Sequence, residues 1–208
     1  MGIQAKYFVD KFNKFSTNGK LFLQEQNMSV NCANYIRKLL LNNDYFTHLE
    51  LAKNNFRDRG CKKLAKALLR NDSIIHVDLS SNDIGEVGAT KLFNILRHNN
   101  TLISLNLKSY EGLNRNKLGP NGVKVLSEVL AENRTLQFIN VAATQIGLTG
   151  LNYICEGLEH NQTLFSLDIS NNFLGYKLYI PLVKSLNFSG LQELNLSRNQ
   201  MGDKGIKE

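Results

Sequence analysis

Two histidine–carboxylate pairs are the residues of this chain best equipped to do chemistry. His48-x-Glu50 and His76-x-Asp78 recur 28 residues apart. If each triplet is a short extended strand and the two strands lie side by side, two imidazoles and two carboxylates share a patch about 5 by 7 Å across. Two imidazoles and one carboxylate suit a zinc or nickel ion. The sequence supplies no enclosing groups to orient such ligands, so the pattern is read as histidine–carboxylate contact, with no metal and no cofactor. The chain has no Walker-type phosphate loop, no Gly-x-Ser-x-Gly elbow and no His-Glu-x-x-His. Cys32, Cys61 and Cys155 are odd in number and at no metal-ligand spacing. Cys155 falls on a small-residue helical position, where a thiol packs as a modest hydrophobe. No catalytic residue is expected.

The elements that position these pairs are written as a repeat. Phe46-Thr-His-Leu49-Glu-Leu51-Ala-Lys-Asn54 returns as Ile74-Ile-His-Val77-Asp-Leu79-Ser-Ser-Asn82, and Leu102, Leu136, Leu164 and Leu191 open further copies. The period is 28 residues, stretched to 34 once and shortened to 27 once. The L-x-L core has the two-residue alternation of a strand with one buried face. Stretches such as Gly88 to Leu96, Leu151 to Leu158 and Cys61 to Leu69 place apolar residues three and four apart, as an amphipathic helix requires. Asn54, Asn82, Asn172 and Asn199 close the strand by satisfying backbone groups of the turn. Gly85, Gly119, Gly147 and Gly175 follow three residues after that slot and permit the bend into the helix.

A fixed period in this range with L-x-x-L-x-L-x-x-N is the leucine-rich-repeat signature. A strand plus a full helix in 28 residues resembles the ribonuclease-inhibitor-like subclass. The resemblance covers residues 18–208 and implies an α/β solenoid with a concave parallel sheet and convex helices. The expected units are 18–45, 46–73, 74–101, 102–135 with an insertion, 136–163, 164–190 and an incomplete 191–208. Residues 1–17, with Phe8, Phe12 and Phe15 at helical spacing, are expected to form a helical cap over the first repeat; an amphipathic membrane helix is the alternative. Pro181 lies within the sixth unit, so that helix should begin near Pro181 or be broken there. The last unit stops where its helix should begin, which predicts a fragment of a longer array or an end covered by a partner.

Alternate strand residues must then line the concave face. One row reads Lys20, His48, His76, Ser104, Phe138, Ser166, Glu193; the other reads Phe22, Glu50, Asp78, Asn106, Asn140, Asp168, Asn195. The concave face is the usual partner surface of a solenoid, and His48, Glu50, His76, Asp78, Asn106, Phe138, Asn140, Asp168 and Asn195 are the expected contacts. Phe138, beside Ala142 and Ala143, reads as an apolar anchor. The six extra residues of the 102–135 unit fall just after its strand, and inserted loops on rigid scaffolds commonly carry function. Tyr110, Arg115 and Asn116 are the candidates there, with Gly112 for flexibility. Arg115-Asn-Lys-Leu118 resembles the Arg-Asn-Arg-Leu stretch of the Ran GTPase-activating proteins, which implies stimulation of GTP hydrolysis as a rival function. The chain lacks that family's acidic C-terminal tail.

Net charge is +7, and residues 1–73 hold all of the excess, with 13 Lys and Arg against 6 Asp and Glu. Lys53, Arg57, Arg59, Lys62, Lys63, Lys66 and Arg70 form a basic face on the outer helix and turn. It could meet an acidic polymer such as a tubulin tail or nucleic acid, or remain a solvated helix face. Basic and aromatic residues do not interleave there, so no dedicated nucleic-acid site is expected. No apolar run approaches the roughly 20 residues that span a bilayer. The N-terminus lacks a signal-like apolar stretch, and Lys6 stands where a myristoylation site needs Ser or Thr. These features predict a reduced, cytoplasmic setting, cytoskeletal or ciliary by analogy. The expected function is non-catalytic binding of a protein partner, as scaffold, adaptor or assembly subunit.

Overall fold

A computed structural model describes residues 14–41, 43–112 and 114–202. The L-x-L triplets become short strands: β1 (Ser16–Thr17), β2 (Lys20–Phe22), β3 (His48–Glu50), β4 (His76–Asp78), β5 (Ser104–Asn106), β6 (Phe138–Asn140), β7 (Ser166–Asp168) and β8 (Glu193–Asn195). Between them run α1 (Val30–Leu40), α2 (Arg57–Leu68), α3 (Glu86–Leu96), α4 (Gly119–Glu132), α5 (Gly147–Leu158) and α6 (Tyr179–Leu186). The strands form one sheet in chain order, parallel from β2 to β8. This is the expected α/β leucine-rich-repeat solenoid.

Register follows the repeat. Leu21, Leu49, Val77, Leu105, Ile139, Leu167 and Leu194 sit opposite one another across the sheet. All but Leu194 are buried. A one-residue slip would turn that whole column to solvent, so the burial itself holds the register. Behind the sheet, a single core runs from Leu21 to Leu182, filled by the inner faces of the helices.

The N-terminal edge differs from the helical cap expected over 1–17. Ser16 and Thr17 are extended and pair antiparallel with Leu21 and Lys20. Asn18 (φ 49°) and Gly19 (φ 74°) make the connecting turn, and Asn-Gly with both φ positive is the two-residue hairpin that matches strand twist. Residues 1–13 of the expected cap lie outside the described residues. Pro181 behaves as expected: a 3-10 turn (Tyr176–Leu178) leads into α6 at Tyr179, and the proline occupies the first helical turn, where its missing N–H costs nothing. The turn glycines divide. Gly119, Gly147 and Gly175 hold φ between 64° and 76°, whereas Gly85 is extended at −93° and Arg57 takes the left-handed conformation (φ 54°) in the equivalent slot.

Two asparagine ladders lock the repeats together. In the first, Asn54 accepts from the N–H groups of Gln26 and Met28 and donates to the carbonyls of Leu23, Leu51 and Ala52. Asn116 accepts from Asn82 and Ile84 and donates to Leu79 and Leu107. Asn172 and Asn199 continue the pattern, Thr144 stands in one slot, and Asn82 donates to Leu51 and Ser80 while its Oδ1 accepts from none of the described residues. The second ladder was not anticipated. Asn71, Asn99, Asn133 and Asn161, each just after a helix, donate to a carbonyl near the end of the helix one repeat earlier, from Leu40, Leu68, Leu96 and Leu130. Each also accepts from the backbone of its own following turn. Their 28- and 34-residue spacing carried the signal.

Candidate functional site

Both expected rows lie on the concave sheet face in the expected register, Lys20 opposite His48 opposite His76, and so on to Glu193. The second row is more than surface. One oxygen of each Asp or Asn accepts the N–H two residues on: Asp78 from Ser80 (2.7 Å), Asn106 from Lys108 (3.1 Å), Asn140 from Ala142 (3.0 Å), Asp168 from Ser170 (3.0 Å) and Asn195 from Ser197 (3.1 Å). These Asx turns end the strands. Each Asp or Asn of this row therefore gives one acceptor position to the fold and keeps its remaining groups on the concave face. The type of residue required, an Asx two positions before a turn N–H, was legible; the committed oxygen was not.

What remains differs along the face. At the N-terminal half, the His48 and His76 rings stack 5.4 Å apart. His48 Nδ1 shares a hydrogen bond with Thr47 Oγ1, and His76 Nδ1 with Ser104 Oγ, each at 2.9 Å. His76 Nε2 lies 3.4 Å from Glu50 Oε1. Burial first, then the Lys20 ammonium and His76, pull the His48 pKa below 6.5. Asp78 is buried; its Oδ1 also accepts from Ser80 Oγ (2.6 Å) and its Oδ2 from Asn106 Nδ2 (2.9 Å). Among the described residues, no three His, Cys, Asp or Glu side chains are grouped to hold a metal ion.

The C-terminal half is a trough of about 420 Å³ floored by β5 to β8, with His76 at one end and Glu193 and Asn195 at the other. Phe138 stands in it, 39% exposed, its ring 5.7 Å from that of Phe165. Asp168 Oδ2 is met by Asn140 Nδ2 at 3.2 Å. The trough therefore offers one aromatic surface beside two carboxylates, Asp168 and Glu193, and no lysine or arginine among its lining residues.

The inserted loop is exposed at its tip and tied down by its hydrogen bonds. Tyr110 donates its N–H to Ser81 Oγ (2.7 Å), and its ring lies between the ammonium groups of Lys53 (4.8 Å) and Lys108 (4.5 Å). Asn114 reaches back to the Asn54 carbonyl, and Ser109 Oγ donates to the Asn116 carbonyl. Arg115 is exposed. Asn116, expected as a rim contact and as the residue behind the GTPase-activator resemblance, is fully buried in the first ladder with both side-chain ends engaged.

The basic face also divides. Lys53 sits on the rim with Tyr110 and Glu25 (2.7 Å), apart from the outer helix. Arg57 pairs with Asp83 at 3.3 Å. Arg59, Lys62, Lys63 and Lys66 line a groove between α1 and α2, with Arg70 exposed just past the end of α2. The three cysteines are free thiols. Burial, aided by Asp58, pushes Cys61 up to about 12, and burial raises Cys155 as well, so neither is a thiolate nucleophile at neutral pH.

A family model described as Leucine Rich repeat matches residues 42–65, 70–93 and 191–208. Repeat, ladder and sheet agree with it, and the fold is that of a leucine-rich-repeat solenoid. Among solved structures, Leiomodin-1 Actin-Binding Site 2 (ABS2) aligns at a TM-score of 0.57 and 19% identity, covering 76% of this chain and 91% of that one. That likeness is one of fold. A comparison with curated proteins found no match. No helix of the described residues is long and apolar enough to cross a membrane.

Proposed function

We propose that this chain is a non-catalytic protein-binding module that receives a partner in the concave trough around Phe138. The supporting observation is the trough itself: a half-exposed phenylalanine beside the carboxylates of Asp168 and Glu193, on strands whose turns are already held by their own Asx residues. Side chains on a rigid sheet lose little freedom on binding, which leaves more of the contact energy as affinity. The uncompensated acids call for a partner segment with lysine or arginine next to an apolar side chain. The ribonuclease-inhibitor-like subclass belongs to the same reading, supported by a helix in nearly every 28-residue unit. So do a cytoplasmic, cytoskeletal setting and a place in a larger assembly.

The test is a pair of capture experiments from the native source with immobilised protein, wild type and Phe138→Ala/Asp168→Ala, followed by mass spectrometry and affinity measurement on purified candidates. Actin joins the candidates because the leiomodin neighbour is named for binding it. A concave partner should lose about 2 kcal/mol or more with Phe138→Ala, roughly thirtyfold in affinity. The reading fails if every captured protein binds the double variant as well as wild type while circular dichroism shows both folded.

A further inference from the structure

We propose that the groove between α1 and α2, on the outer face, is a second docking site, shaped and charged for an extended acidic peptide segment of a partner protein. The argument starts from the spacing of the cations. Arg59, Lys62, Lys63 and Lys66 are three and four apart and so share one side of α2. At about 1.5 Å per residue they form a stripe of about 10 Å, the reach of about three residues of extended chain. Arg70 continues it past the helix end.

These cations lack internal compensation. Among the described residues, no carboxylate pairs with Arg59, Lys62, Lys63, Lys66 or Arg70. The facing helix, α1, contains no acidic residue. The one acid of α2, Asp58, is occupied at the α3 side, where its Oδ1 accepts from the N–H groups of Gly85 (2.7 Å) and Gly88 (3.0 Å). Lys63 finds only the Val30 carbonyl, at 3.2 Å. Two other outer-face cations do meet acids of a neighbouring repeat, Arg97 with Glu128 and Glu132 and Lys184 with Glu159; Lys91 and Lys124 stand singly, so what sets α2 apart is four cations gathered on one side of one helix. A row of like charges left without its own acids repels itself and is relieved by an external anion.

The groove also selects among anions. It holds about 480 Å³ and is lined by the four cations along α2 and by Val30 and Asn31 at the start of α1. Cations strung along one helix suit charges strung along a chain. No aromatic side chain lines it for stacking on a base, and its one apolar residue, Val30, is too small a surface to enter a bilayer. Carboxylates spaced along an extended peptide fit all of these features.

The experiment is fluorescence anisotropy with a labelled oligoglutamate peptide and the full chain, run beside single-stranded RNA and phosphatidylserine vesicles in the same buffer. Wild type should bind the peptide at about 0.01 M salt and release it towards 1 M, as the screening length falls from about 30 to about 3 Å. Lys62→Glu/Lys66→Glu should weaken binding about tenfold or more. Lys62→Gln/Lys66→Gln should give an intermediate loss, which keeps the test decisive if charge reversal disturbs folding. Phe138→Ala/Asp168→Ala should bind the peptide as wild type does, so failure here is distinct from failure of the concave reading. The proposal is overturned by absence of salt-sensitive peptide binding, by binding that survives both lysine variants, or by RNA or vesicles binding more tightly through the same lysines.

Discussion

Asparagine does two jobs in this chain, and the residue scale separates them. Asn116 is a buried fastener. Its removal leaves two N–H groups and two carbonyls without partners, each worth about 1–3 kcal/mol when buried. Asn116→Ala should therefore lower stability by about 3 kcal/mol or more in urea unfolding. Asn195→Ala, at an exposed strand end with one N–H to lose, should cost less than about 1.5 kcal/mol. A titration separates the histidines in a similar way. His48 should titrate below 6.5 by NMR, and Lys20→Ala should move its midpoint back up. Because the folded protein holds that proton more weakly than the unfolded chain does, the stability from His48 is fully present above 6.5. It is lost as pH falls through the lowered value. At this scale the sequence showed which residues face the concave side, because strand alternation alone determines that. It did not show that Asp78 turns its carboxylate to Ser80 and Asn106, or that Asn116 is inside, since Asn-x-Leu reads alike in either place.

Elements of a solenoid are set by how closely neighbouring units approach. A Cβ on Gly157 of α5 would lie 2.5 Å from the Ser127 carbonyl oxygen and 3.0 Å from the Ser127 Cα on α4. Both are backbone atoms, so the helices would have to separate. Gly157→Ala gains up to about 1 kcal/mol of helix propensity and loses about 1–3 kcal/mol to overpacking. We expect a net fall in thermal midpoint, measurable by calorimetry. The elements themselves were largely legible, because the two periods alternate so clearly and Pro181 marks where α6 can start. The β1–β2 hairpin was missed for a local reason. The helical spacing of Phe8, Phe12 and Phe15 runs up against Asn18-Gly19, the stronger signal for a tight reversal.

On the whole molecule, the two proposed surfaces lie on opposite sides of one core. The trough belongs to β5 through β8 and the groove to α1 and α2, so variants at Phe138 and at Lys62 should act independently and their effects should add. This segregation was half legible. The count of charges located the basic third of the chain, but only the packing reveals that Lys53 and Arg57 already have acids while the α2 stripe does not.

The ladders also run in one sense. The amides of Gln26 and Met28 are met by Asn54, those of Asn82 and Ile84 by Asn116, and the carbonyl of Leu40 by Asn71. In each case the later residue completes the earlier one, some 26 to 34 positions behind it. A ribosome makes the chain in that same order. Each of these turns therefore leaves the ribosome unfinished and is sealed only when its successor arrives, so the molecule closes behind the growing end like a zip following the hand.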